Sequence, residues 1–494
     1  MKALTHLFVI GLLAGIIGCS IDPPSDVSGP SLGPVTVTKY VAIGNSLAAG
    51  YQSNGLYQSA QVYSYPNLIA AQLRGAGATV GTFEQPWYSD PGNADPVTGK
   101  AARYEIISLT GPVIGPRGLT AGVPTNTTLA RPYDNLGIPG VIIFDFLDTT
   151  AVATKAVARN NAFFSLVQRN NSTLGKRLLD QVKALNPGLV SFWLGNNDVL
   201  GFATSGGVSP SAPTPVGDAV TPFVAGPTPT FHFWYQASLD SLRAQLPTAK
   251  IVVATIPDVK SIPFFTTIGP KVGLSLSALA GVYLRYQMHG NTSVAFDSTR
   301  FTEANPPLIC LTGSPYTALL GVPSGKWYKD KGLPLGAGID TTKPFGFHPQ
   351  NPWPDALVLD VNEQATAQTA VINFNNIIKA RATAIGAAVV DVYAIFNDIK
   401  ANGTMRNGLE FHTDYVTGGL FSLDGVHPSN QGAAIIANEF IGAMNTSFQM
   451  NVAPINVANI PGLVAPISKL SVQGGMPVIS QDAFKSLEML WGAK

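Results

Sequence analysis

One pattern recurs three times along this chain and limits what it can become: a stretch with helical spacing, a short turn, then a run of apolar and β-branched residues. Residues 173–185, with Leu174, Leu178, Val182 and Leu185 on one face, pass through Asn186, Pro187 and Gly188 into 189–193. Residues 235–246 lead in the same way to 250–257, and 360–384 to 388–393. At the head of the last helix, Asp360 and Glu363 have the spacing of a reciprocal N-terminal cap, which predicts where it begins. An earlier βα unit pairs strand 40–43 with helix 66–74, which has Pro66 in its first turn and stops at Gly75. A final helix is expected over 431–444. Parallel neighbours need helical crossovers, so this alternation predicts a mainly parallel sheet covered by helices on both faces, a three-layer α/β/α arrangement.

The chain has 494 residues, 46% hydrophobic and 12% charged, enough to bury a large core in one to three domains. With 50 glycines and 38 prolines, long loops must join the elements. Residues 84–130 read as a loop excursion, and 262–354 as a cap subdomain with an apolar helical stretch over 274–286. Residues 202–233 carry one charged residue, Asp218, and leave the sheet four residues after Asp198. They could wall or cover a site at that edge, or only pad a loop. The formal net charge of +1 gives no electrostatic footprint for nucleic acid.

Lys2 followed by the apolar run 7–17 is a targeting signal, too short for a comfortable membrane span. It ends in Ile16, Ile17, Gly18 and Cys19, which resembles a bacterial lipobox. That resemblance implies a signal peptide over 1–18, lipid on Cys19, and anchoring in the bacterial envelope, with the outer membrane expected; an ordinary secretory signal is the alternative. Residues 19–35 then read as a flexible tether, 36–450 as the main domain, and 451–494 as an apolar extension without clear period. With Cys19 lipidated, only Cys310 remains, within an apolar run where a small core residue is expected.

The strand at 40–43 ends at Gly44, Asn45 and Ser46, which exposes Ser46 at the carboxyl edge of the sheet, where open α/β sheets bind ligands. Three further blocks follow: Asn135-Leu-Gly-Ile-Pro-Gly140, Leu194-Gly-Asn-Asn-Asp198 and Leu423-Asp-Gly-Val-His-Pro428. In this order the four blocks resemble the SGNH (GDSL-type) hydrolase superfamily of esterases and lipases, over a span of about 40–444 interrupted by unmatched insertions. The resemblance implies a flavodoxin-like sheet and a cofactor-free serine hydrolase acting on small-molecule or lipid esters. In it Ser46 is the nucleophile, His427 the base and Asp424 the residue that orients the base. The oxyanion hole would comprise the N–H groups of Ser46 and Gly140 and the side-chain amide of Asn197, with Gly137 a rival for Gly140. Asp198 is expected to hold the Asn197 loop. One departure is Asn45, where the family usually has aspartate; an amide can make similar bonds to the turn.

His232, His289, His348 and His412 have no partner at recognisable ligand spacing, so no catalytic metal is expected. Two other readings share the motifs: a carbohydrate O-acetyl esterase, with aromatic platforms such as Trp87, Trp193 or Trp234, and a noncatalytic surface lipoprotein binding glycan or lipid.

Overall fold

Five short strands form the central sheet: β1 (Tyr40–Gly44), β2 (Asn135–Gly137), β3 (Leu189–Trp193), β4 (Lys250–Ala254) and β5 (Ala388–Val390). All pairs are parallel, in the order β2-β1-β3-β4-β5. The order reverses between β1 and β3, so the loops after these two strands diverge and open a crevice at their carboxyl ends. The computed structural model describes residues 29–108, 113–277, 279, 281–289, 296–299, 301, 306–462 and 478–479. The signal, Cys19 and most of the C-terminal extension lie outside the described residues, and no helix among those residues is long and apolar enough to cross a membrane.

Strand alternation sorts the core into two faces. Trp193 meets Tyr65 and Phe440, whose rings belong to α2 (Tyr65–Gly75) and α8 (Asn430–Phe448). Its neighbour Phe192 points the other way, against Tyr235 of α5 (Phe231–Gln245). Beyond it Phe231 stacks on Phe374 of α6 (Val361–Ile385) at 3.9 Å. Helices therefore cover both faces, and the chain has an α/β fold with a mainly parallel sheet.

Local chemistry sets most boundaries. Asp360 Oδ1 accepts from the N–H groups of Asn362 and Glu363, while Glu363 Oε2 accepts from Asp360 N–H, so α6 starts at the predicted cap. The helix expected over 173–185 is broken at Gly175, which sits at φ +121°, and α3 (Leu178–Leu185) begins after Asp180 reaches back to Arg177 N–H. β5 is shorter than expected because Asp391 accepts from Ala394 N–H and starts a further helix, α7 (Val392–Asn402). The helix expected over 274–286 is mostly absent: a helix ends at Ser277, Gly281 turns at φ +75°, and Leu284–Gln287 is a strand.

Residues 84–130 are not wholly irregular, since Tyr104–Ser108 pairs antiparallel with Val113–Pro116. The stretch 262–354 shares one continuous core with the sheet through Phe265, Ile309, Cys310, Leu311 and Trp353. Cys310 is fully buried there, and burial raises its thiol pKa. The expected tether is already pinned at Ser31, whose N–H and C=O both bond to Asn451. From there the chain runs back along α8, where Asn445 and Asn438 use their amides to pair with the backbone of Val452 and Ile455.

Candidate active site

At Gly44 a Cβ would stand 2.6 Å from that of Ala48, so only a glycine lets β1 fold directly into the single turn α1 (Ser46–Ala49). Asn45 caps this turn, its Oδ1 accepting from Leu47 N–H at 2.9 Å. A carboxylate oxygen would accept the same bond, so the departure at Asn45 leaves the turn intact. Ser46 is the first residue of α1, with its side chain at the carboxyl edge of the sheet.

The chain returns to this point through the loop before α8. His427 Nε2 lies 2.8 Å from Ser46 Oγ, and His427 Nδ1 lies 2.9 Å from Asp424 Oδ2. The three are 3%, 1% and 0% exposed in the order Ser46, His427, Asp424, so water does not compete for these bonds. Gly425 turns the loop at φ +71°, and a Cβ there would meet Leu311 at 2.9 Å and Phe264 N at 3.1 Å. Asp424 Oδ1 accepts from Val426 N–H and His427 N–H, and Oδ2 also accepts from Asn54 N–H at 2.9 Å. Burial opposes charge on Asp424, but the His427 imidazole and these donors outweigh it and hold the carboxyl below the ordinary carboxylate range. Folding thus favours the ionised form: its stabilisation is present above the unfolded pKa and is lost as pH falls through the folded value.

Residues 51–54, absent from the sequence reading, anchor this loop. Ser53 and Asn54 both adopt left-handed backbone, at φ +48° and +63°, which turns their successive N–H groups onto Ser422 Oγ and Asp424. Tyr51 packs its ring 4.9 Å from that of His427. The polar run Gln52, Ser53, Asn54, Gly55 just after the serine block is the only sequence signal for this role.

Of the two glycines in the second block, Gly137 is occupied. Its N–H donates to Asn135 Oδ1, and a Cβ on it would stand 2.5 Å from Ala49 N. Asn135 also donates to Ala48 O at 2.7 Å, which locks β2 against α1. Gly140 turns at φ +77°, and its N–H meets no acceptor among the described residues. Asn197 opens α4 (Asn197–Thr204) and donates one Nδ2 hydrogen to Val141 O at 2.8 Å, which fixes the amide orientation and leaves the second hydrogen available. Asn45, Ser46, Asn196, Asn197 and His427 line one cavity.

Asp198, the next residue of the third block, accepts from Ile143 N–H at 2.9 Å and so ties α4 to the turn after β2. Burial pushes its carboxyl up to about 7, against the Ile143 bond and Arg159, with Asp145 adding to the rise. A raised acid favours the folded state below its unfolded pKa, and this contribution is lost as pH climbs to about 7. Asp198→Asn keeps an acceptor for Ile143 and removes the buried charge. The unfolding free energy of the variant is therefore expected to gain on the parent by about 1.4 kcal/mol per pH unit between pH 4 and 7, measured by urea titration; an identical pH slope would refute the assignment.

The rest of the cavity wall is apolar: Leu47, Trp193, Leu200 and Phe396 come from four separate elements, and Ile256 and Phe421 from two loops. No residue of the 202–233 insertion lines this cavity, although Thr214 N–H bonds to Asp198 C=O at 2.7 Å, next to Asn197. Phe223 packs instead against Phe144 and Trp234, because that aromatic cluster gives its apolar side chains a partner outside the crevice. Trp193 belongs to both core and cavity wall, and Trp234 to the Phe144 cluster.

No family model matches the chain, and no curated protein matches it. Among solved structures the chain is similar to LAE5, described as an alpha/beta hydrolase enzyme from the metagenome of Lake Arreo, Spain, with 14% identity and a TM-score of 0.31, over 83% of this chain and 96% of that one.

Proposed function

We propose that this chain is a serine esterase of the SGNH type, on a flavodoxin-like sheet, that hydrolyses carboxylic esters of apolar acids through an acyl-enzyme at Ser46. One observation carries the reading: the hydrogen-bonded line from Asp424 through His427 to Ser46 Oγ ends at the wall of an apolar cavity. Ser46 Oγ attacks the acyl carbon while its proton passes to His427 Nε2. Asp424 stabilises the imidazolium that forms. The oxyanion takes the N–H groups of Ser46 and Gly140 and the spare Nδ2 hydrogen of Asn197. Collapse of the tetrahedral species expels the alcohol, protonated by His427, and water repeats the sequence to free the acid.

The cavity is small, about 50 Å³. That suits a short to medium acyl chain rather than palmitoyl, and its apolar wall disfavours a sugar ring. A panel of nitrophenyl esters from acetyl to palmitoyl is expected to give a kcat/KM maximum at about four to eight carbons. A fluorophosphonate is expected to label the parent and not Ser46→Ala. A maximum at palmitoyl would overturn the acyl assignment, and labelling of the variant would overturn the mechanism.

A further inference from the structure

The sequence reading leaves His289 without partners, but the fold supplies two. It follows the strand Leu284–Gln287, and its ring meets Asp355, in the 3₁₀ turn Asp355–Leu357, and Glu363, in the first turn of α6. One donor atom from each of the three lies within 4.8 Å of the other two. His289 Nδ1 stands 3.3 Å from Asp355 Oδ2. Glu363 is 5% exposed, and while its Oε2 accepts from Asp360 N–H, its Oε1 is buried without a hydrogen-bond partner. Asp355 Oδ1 is buried and unpartnered as well.

Two carboxylates with open, buried oxygens beside an imidazole are a costly arrangement unless a positive charge joins them. The surroundings are shaped to this cluster: a Cβ on Gly207 would lie 2.2 Å from Glu363 Oε1, so a glycine is needed for the turn after α4 to close over the carboxylate. On the Asp355 side a cavity of about 320 Å³, bordered by Val208, Gln287 and Tyr328, offers a way in.

We propose that His289, Asp355 and Glu363 bind a divalent transition-metal ion of the zinc type, which clasps residues 284–289 to the start of α6. One nitrogen and two carboxylate oxygens suit zinc better than calcium, which prefers an all-oxygen shell. Donors on one tetrahedral ion stand about 3.4 Å apart, a spacing that His289 Nδ1 and Asp355 Oδ2 already meet at 3.3 Å. The role is structural. Glu363 faces the carboxyl end of α4, and Asn197 opens the amino end of that eight-residue helix, about 12 Å away.

The test uses the full chain stripped with chelator and titrated with Zn²⁺, then with Ca²⁺, by calorimetry and thermal unfolding. One Zn²⁺ per chain is expected, binding more tightly than Ca²⁺ and raising the unfolding midpoint. His289→Ala and Glu363→Gln are each expected to weaken Zn²⁺ binding at least about tenfold, with esterase turnover of the metal-free protein unchanged by His289→Ala. Glu363→Gln keeps an oxygen for Asp360 N–H, so its fold is preserved while its charge is lost. Absence of saturable Zn²⁺ binding, binding in either variant as tight as in the parent, or a preference for Ca²⁺ would overturn the proposal.

Discussion

Replacing His427 with alanine is expected to lower kcat on nitrophenyl esters by about 10⁴- to 10⁶-fold while leaving the chain folded. The size of the effect follows from geometry. Ser46 Oγ has His427 Nε2 at 2.8 Å as its proton acceptor. Without it the hydroxyl must lose its proton to water in a site that excludes water. The fold survives because Asp424 keeps three backbone donors, from Asn54, Val426 and residue 427 itself, and so is not left as an unpaired buried charge. The cost is lost packing against Tyr51, about 1–3 kcal/mol, read by thermal unfolding. Added imidazole is expected to restore part of the activity. A variant within tenfold of the parent would rule out His427 as the base.

Asp424→Asn is expected to cost about 10⁴-fold in kcat and, like the first variant, to lower stability by about 1–3 kcal/mol. The carboxylate uses both oxygens as acceptors: Oδ1 for two backbone N–H groups, Oδ2 for Asn54 N–H and His427 Nδ1–H. An amide has one acceptor oxygen, so its NH₂ group must face either Asn54 N–H or the pair from Val426 and His427. If it faces His427, the ring must accept at Nδ1 and carry its proton on Nε2, where it cannot take another from Ser46. The kcat of the variant, compared at saturating ester with its urea midpoint, checks both halves. Unchanged kcat with a lowered midpoint would make Asp424 a structural residue only.

Much of this was legible in the chain itself, and the reasons are local. The cap at Asp360, the glycine stop after α2 and the apolar runs of β1, β3 and β4 depend on neighbours within a few residues. Asp424 and His427 were readable as a pair because they stand three positions apart on one loop. Asn135 was seen only as part of a block, although its amide joins β2 to α1; such a role depends on where Ala48 lies in space. The helix expected over 274–286 misled because apolar spacing there fits a helix as well as a strand, and Gly281 decided between them.

The cavity wall could not be read at all. Leu47, Ile256, Phe396 and Phe421 lie in distant segments of the chain, and an apolar side chain in a cavity looks, in sequence, like one in a core. The same holds for His289, whose partners lie 66 and 74 positions later. By itself the sequence determined most of the helix and strand segments, the parallel pairing they require and the candidates for the reactive groups, because these follow from periodicity, capping and short motifs along a short length of chain. Only the tertiary structure decided which side chains line the cavity, how wide it is and which distant carboxylates surround one imidazole, because each is a contact between segments whose separation along the chain carries no distance information.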